Sequence, residues 1–493
     1  METKCTELLD LLTSLDIQDN IQRITVGCKE IKHNIPIEGL RYFIKPVEPV
    51  EEINFDEVYT YDEDKKTFNE GYYCDALRRQ YGLVYDYGVF YCTKGDINTR
   101  EGDMIKQIIA NDLIVNVGMT SAIDSKVRHI YELLCIVCSN VNQDGTKIIT
   151  TSDNVIPLAN GDYYVNERVF IQNGRKPSKY RLGASLLPDY TGTPLFDDWI
   201  NNVVFTEDQR VLKAFLGYLL VPNTKGQKSL FLIGQGRIGK SSLGNIITNV
   251  LGGASYRVNN MASFLNDKFA LVNSENKLAL YDDDIGKTPL ASDNLFKTLV
   301  TNTGSISVER KGKDSRQAEF FARFVVLGNY MLEMPSDCDA AYVRRFLPIF
   351  CKPRSEEFVP DVNFPRKLRG ETDMILVIML QGLYDLISLD YDFDSITSES
   401  TKNWESSVVE DVSPIEAFYK DCFTKCAECF ISHKEIIDEY KRYCKNNNVH
   451  FDYSSVEKDV KKWFRDNMPQ YNVKSGKKFN SRGYIGLKFK TGE

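Results

Sequence analysis

Runs with almost no polar position stand out in the middle of the chain. SLFLI at Ser229–Ile233 and FVVLG at Phe324–Gly328 predict strands buried on both faces, as a parallel sheet covered by helices requires. A third apolar run, Leu278–Tyr281, ends in three carboxylates, Asp282, Asp283 and Asp284. Helical periodicity surrounds these strands. TEDQRVLKAFLGYLLV begins at Thr206 as a plausible N-cap and carries Val211, Phe215 and Leu219 on one stripe. Ser242–Leu251 and Met374–Ile387 also read as helices. Asn160–Ile171 alternates as a hairpin does, whereas the first ~110 residues mix short β-like runs with acidic stretches. Residues 389–412 are acidic and rich in Ser and Thr, which predicts a linker. After it come three helices, Pro414–Lys425, His433–Lys445 (capped by Ser432 with Glu435 three on) and Ser455–Asn467, and then two strands joined by a basic turn.

Composition narrows the class. The 493 residues suggest about three or four domains, and 42% hydrophobic with 26% charged residues excludes a wholly disordered or fibrous chain. The net charge of −8 means that any nucleic acid must be met by local patches. The C-terminal unit supplies one. From Tyr453 onward, ten Lys and Arg (458, 461, 462, 465, 474, 477, 478, 482, 488, 490) face four acids (457, 459, 466, 493), a local +6. No apolar run approaches the ~20 residues of a membrane span, and METKCTELLDLL lacks the basic flank of a secretory signal. Twelve scattered Cys are expected as reduced thiols in a cytoplasmic protein. Cys422, Cys426, Cys429, His433 and Cys444 invite a zinc reading, but Cys422 and Cys444 fall at apolar helical positions, which favours packed thiols.

The run Gly234-Gln235-Gly236-Arg237-Ile238-Gly239-Lys240-Ser241 fits G-x-x-x-x-G-K-[ST] at every fixed position, with an apolar strand before it and a helix from Ser242 after it. Glycines let successive N–H groups face a phosphate, Lys240 supplies a charge to the β/γ-phosphates, and Ser241 offers a hydroxyl to Mg²⁺. The expected ligands are ATP and magnesium. Such a site needs a strand-end carboxylate to help hold the metal and polarise water, and Asp283 and Asp284 are the favoured members of the triplet. Asn329 closes the FVVLG strand, where an amide can hold water or the γ-phosphate. Arg344 and Arg345 precede another apolar strand, and one of them can offset charge on a neighbour's phosphate.

In this order, phosphate loop, acidic strand end, strand-end Asn and Arg-Arg resemble the superfamily 3 helicases of the AAA+ class. Gly217–Leu220 and Lys297–Lys311 resemble the primase–helicase branch of poxviruses, phages and plasmids. The arrangement with a small basic C-terminal unit is most similar to the replication initiators of staphylococcal pathogenicity islands, which are mobile genetic elements. The resemblance implies an α/β fold: an AAA+ P-loop ATPase core with an α+β N-terminal region and a C-terminal winged helix. Expected units are an accessory region over 1–195, the ATPase with its helical collar over 196–395, a linker over 396–412 and the winged helix over 413–493. It further implies a homo-oligomeric ring, the hexamer of the family, with ATP sites between subunits. Arg345, with Arg344 second, matches the finger given to the next subunit. Lys311 and Lys313 match a hairpin that enters the pore on single-stranded DNA. Lys461 and Lys462 on the third helix, with Lys477, Lys478 and Arg482 in the wing, are the expected duplex contacts. The expected activity is ATP-dependent unwinding that starts at a replication origin. A DNA-binding ATPase that recruits a separate helicase, and a primase–helicase, remain open alternatives. Asp56, Asp62 and Asp64 do not form the strand–acid–x–acid pattern that two-metal primase chemistry needs.

Overall fold

The computed structural model describes residues 17–47, 52–62, 65–86, 88–92, 94, 102–142, 145–149, 151–267, 269–285, 293–301, 305–309, 315–331, 340–354, 361–412, 414–446, 456–468, 473–478 and 481–490. Two short strands, β1 (Lys29–Ile31) and β2 (Arg41–Ile44), come first. A largely helical stretch follows: hairpin β3 (Tyr59–Asp62) and β4 (Lys65–Phe68), helix α1 (Glu70–Tyr81), hairpin β5 (Leu83–Asp86) and β6 (Val89–Cys92), then α2 (Gly102–Asn111) and α3 (Ile123–Val137). It has its own core around Tyr73, Phe90, Ile130 and Leu134. Strands β7 (Val155–Leu158), β8 (Gly161–Tyr164) and β9 (Val169–Gln172) then complete a mixed sheet of order β1-β2-β9-β8-β7. Asn160–Ile171 forms the expected antiparallel hairpin. Tyr42, Ile156, Tyr163 and Phe170 from this sheet join the main core of the chain.

That main core surrounds a second sheet. Its elements are α4 (Pro194–Val203), α5 (Thr206–Tyr218), β10 (Ser229–Ile233), α6 (Ser241–Leu251), β11 (Ser255–Arg257), α7 (Met261–Asn266), β12 (Ala279–Ile285), α8 (Asp293–Thr301), the hairpin β13 (Ser305–Val308) and β14 (Arg316–Glu319), β15 (Arg323–Gly328), α9 (Ala340–Val343), β16 (Phe346–Phe350), α10 (Phe364–Arg369) and α11 (Thr372–Ser388). Five strands lie in the order β11-β12-β15-β10-β16, and every neighbouring pair is parallel. β10 is buried along its whole length because helices cover both faces, which explains its apolar run from Leu230 to Ile233. Residues of α5, α6 and α11 pack on one face, and those of α7 and α8 on the other.

The strand carrying Asn329 is tied to the preceding helix by a buried cation. Arg323, at the start of β15, is 3% exposed. It donates to the carbonyls of Phe321, Tyr218 and Val221, and its guanidinium lies 4.5 Å from the centre of the Tyr218 ring. These carbonyls, two of them at the end of α5, offer partial negative charge without a carboxylate. Burial still pulls the guanidinium down to about 10.

Two expectations are corrected beyond the sheet. Residues 399–412, read as linker, form helix α12 (Glu399–Val412). Its Thr401 is buried and donates to Pro348 O at 2.6 Å, Trp404 packs beside Phe346, and Val408 packs on the same core, so these side chains anchor a largely polar segment. The helix expected over Pro414–Lys425 stops early: α13 (Pro414–Cys422) passes directly into a strand, β17 (Phe423–Ser432). A bulge between Cys426 and Phe430 brings Cys426 and Cys429 together as a disulfide, against the expectation of reduced thiols throughout. Helices α14 (His433–Asn446) and α15 (Val456–Asn467) and strands β18 (Lys474–Lys478) and β19 (Ser481–Phe489) follow, with sheet order β17-β19-β18. Ser432 and Glu435 form the expected reciprocal cap on α14. Among the described residues, no helix is long and apolar enough to cross a membrane.

Candidate nucleotide and nucleic-acid sites

The loop Gly234–Lys240 leaves the C-terminal end of β10 and turns into α6 at Ser241. It is held from three sides. Gly234 N donates to Gly328 O at 3.1 Å, and a Cβ on Gly234 would stand 2.6 Å from that of Cys351, so only glycine fits. At the other end Gly239 adopts φ +94° against the side chains of Trp199 and Val203. The Trp199 indole N–H donates to Gly239 O at 2.9 Å. Between these points Arg237 takes φ +64°, a left-handed step of the kind that turns successive amides to one side.

Lys240 is 9% exposed and folds over the loop. Its ammonium donates to Gly234 O and Gln235 O, each at 2.6 Å, and to Asn329 Oδ1 at 3.1 Å. Burial lowers its pKa, and the nearby Asp284 carboxylate opposes that shift. Strand order explains the meeting: β15, which Asn329 directly follows, lies between β10 and β12. The three strand ends therefore deliver loop, amide and carboxylates to one edge of the sheet.

The aspartate triplet is sorted by environment. Asp282 is 1% exposed and accepts from Met261 N at 2.8 Å and Asp284 N at 3.2 Å, so both oxygens serve the backbone. Burial raises its pKa, while these two bonds lower it. Asp283 is paired with Arg257 at the end of β11, at 2.6 Å. Asp284 is exposed and lies within electrostatic reach of Lys240. A register shift against β15 between Asp282 and Ile285 breaks the strand alternation here and re-aims these side chains.

Ser241 is exposed at the first turn of α6 and Ser242 is buried. Loop amides, a helix N-terminus, an ammonium, a hydroxyl and nearby carboxylates form a donor set that suits a polyphosphate with a divalent cation. Arg344 and Arg345 are not brought to this edge. Ser229 N donates to Arg345 O at 2.8 Å, which places both arginines at the opposite end of β10 and β16. Five strand residues at ~3.3 Å each, about 16 Å, separate them from the loop.

Strands β13 and β14 pair from Ser305↔Glu319 to Val308↔Arg316. Lys311 and Lys313 belong to the connecting segment 310–314, outside the described residues. At the C-terminal unit, Lys461, Lys462, Lys477, Lys478 and Arg482 are all exposed. The pKa of His433 is lowered by burial and then by the charges of Lys461 and Arg482, which sets the third helix and the β18–β19 hairpin on one electropositive side. Among the described residues, no group of three His, Cys, Asp or Glu side chains is placed to hold a metal ion by itself. Trp199 and Arg257 were not singled out from the sequence. Each lies on an element remote in sequence from the group it holds.

Residues 232–345 match a family of unknown function, DUF5906, a stretch that runs from β10 to Arg345. Among solved structures, the chain is similar to the apo NrS-1 C-terminal region (305–718) at 12% identity and a TM-score of 0.44, covering 82% of this chain and 95% of that one. It is likewise similar to the A-form apo NrS-1 C-terminal region, at 12% identity and a TM-score of 0.45, over 82% and 96%. Among curated proteins, no sequence matches this chain.

Proposed function

We propose that this chain is an ATP-dependent DNA helicase with an AAA+ core that binds and opens a replication origin as a ring of subunits. The observation that carries the reading is the meeting of Lys240 with Asn329 at the sheet edge where the aspartate strand also ends. Strand order supports the AAA+ assignment, because insertion of β15 beside β10 is what gives the phosphate loop an amide partner.

In this reading the loop amides and Lys240 hold the triphosphate, with Lys240 exchanging two loop carbonyls for phosphate oxygens. Ser241 and Asp283 are the groups that would hold magnesium, which supplies positive charge at the β/γ oxygens when bound. Asp284 takes the proton side of water activation, and Asn329 orients that water. Arg344 and Arg345, a strand length away from their own loop, would serve a neighbouring subunit's site. The hairpin β13–β14 carries Lys311 and Lys313 toward a single strand in the pore. The C-terminal unit, three helices with a three-stranded sheet, acts as a winged helix on duplex DNA.

Strand displacement tests the proposal. Purified chain with ATP and magnesium is expected to release the annealed strand of a forked duplex, and Lys240→Ala is expected not to. Hydrolysis of ATP on DNA with no strand released would instead make the chain an ATPase that recruits a separate helicase.

A further inference from the structure

The phosphate loop has two flanks, and only one holds catalytic groups. Toward β15 and β12 lie Asn329 and the aspartates. Toward β16 the chain continues past Phe350 into Cys351 and Lys352. Cys351 N donates to Ile233 O at 2.7 Å, and Lys352 N donates to Val203 O at 2.9 Å. Val204 pairs antiparallel with Cys351, so Val203 lies at the loop end of the sheet and Phe205 one step back, level with Phe350. Val203 itself packs on Gly239.

Next in this segment is Phe205, a large aromatic side chain that is 36% exposed. Lys352 stands 6.0 Å from the centre of its ring, and the same ammonium is tethered to Asn201 O at 2.8 Å. An aromatic ring left partly in water near the loop end of the sheet gains free energy if a planar group covers it. The direction of a bound triphosphate says which group. With the terminal phosphate beside Asn329 and Asp284, the nucleoside end leaves the loop on the other flank.

We propose that Phe205 is the platform on which the nucleotide's base stacks, with the Lys352 ammonium at the base edge. The inference rests on the nucleotide reading above and adds to it the residues that recognise the base. Stacking is tolerant of which base is present, so Phe205 sets affinity for a nucleoside over a bare polyphosphate. Lys352, a fixed donor, favours bases with an acceptor on that edge.

Calorimetric titration of the full chain in magnesium tests this, with a non-hydrolysable ATP analogue and inorganic tripolyphosphate as probes. Phe205→Ala is expected to weaken the analogue by about tenfold, the scale of one lost base stack, and to leave tripolyphosphate within about twofold. Phe205→Tyr keeps the ring and is expected to restore the analogue's affinity at an unchanged melting temperature. Equal weakening of both probes by Phe205→Ala would mean that the residue only shapes the loop, and no weakening of either would remove it from the site; both results overturn the proposal. Lys240→Ala separates the two readings, since it is expected to weaken both probes. If it weakens neither, or if the wild-type chain binds neither, the phosphate-loop reading fails and the base platform fails with it.

Discussion

The ammonium of Lys240 donates to Oδ1 of Asn329 across 3.1 Å, joining the Gly234–Lys240 loop to a strand end 89 residues further along. Removing either partner separates their roles. Lys240→Ala is expected to abolish hydrolysis, because no other buried cation reaches the loop among the described residues. Asn329→Ala keeps the charge and loses only the amide, so nucleotide affinity is expected to hold while kcat falls about 10²-fold, as for loss of one orienting donor. Origin-duplex binding should survive both changes. Comparison of kcat and Kd for the two variants checks the assignment.

Three adjacent aspartates should respond in three different ways. Asp282→Ala leaves the amides of Met261 and Asp284 without acceptors inside the protein, a loss of about 1–3 kcal/mol each, and should lower Tm. Asp284→Asn should leave Tm unchanged and depress kcat, because its side chain is exposed beside Lys240 and bonds nothing structural. Asp283→Asn should mainly raise the magnesium concentration needed for activity. Arg257→Ala frees Asp283 and should shift that same magnesium dependence to lower concentration. A stable, active Asp282→Ala chain would reverse the sorting.

Much of this site was legible in sequence, and the reason is physical. LFLI and FVVLG have no polar position because both faces of β10 and β15 are covered, and such runs allow few readings. α12 was not legible. Thr401, Trp404 and Val408 are among its anchors, and positions so few do not show as a stripe among Ser, Thr and Glu. β17 was hidden because its bulge at Cys426–Phe430 interrupts alternation. Arg323, Trp199 and Arg257 each hold their partner through a contact that only the packed fold creates. No local pattern announces an indole that meets a glycine carbonyl 40 positions on.

Trp199 offers a direct probe of that contact. Trp199→Phe keeps most of the packing and removes the donor to Gly239 O. The loop should then lose one restraint, worth about 0.5–1.5 kcal/mol, and KM for ATP should rise about threefold to tenfold with kcat nearly unchanged. In the parent chain, indole fluorescence should change on adding nucleotide, and the change should vanish in Trp199→Phe. A fall in kcat at constant KM would place the residue in chemistry rather than in binding.

Arg345 and Lys240 sit at opposite ends of the same parallel strands, so a role for Arg345 in hydrolysis has to act between subunits. Arg345→Ala should bind ATP yet turn over at a rate reduced by about 10³ or more. Mixing it with Lys240→Ala should restore part of the activity, because some interfaces then combine an intact loop with an intact arginine. Arg344→Ala, tested in parallel, should have the smaller effect. Absence of recovery in assemblies shown by labelled subunits to mix would exclude a shared site.

Motor and recogniser should also separate, because their basic residues lie on different units. Lys311 and Lys313 belong to the segment joining β13 to β14, and their proposed contacts are to the phosphates of one strand. Such contacts are salt-sensitive and blind to sequence. Lys477, Lys478 and Arg482 flank the β18–β19 turn, on the side where Arg482 and Lys461 both act on His433. Lys313→Ala, or the pair with Lys311, should reduce strand displacement and leave origin-duplex binding intact. Replacing the trio by Ala should weaken duplex binding and flatten its dependence on salt by up to about three phosphate contacts, while a forked substrate without origin sequence is still unwound. Filter binding across a salt series and displacement on the two substrates distinguish these outcomes. If the hairpin variants lose origin binding while the wing variants keep it, the two units have exchanged the roles assigned to them.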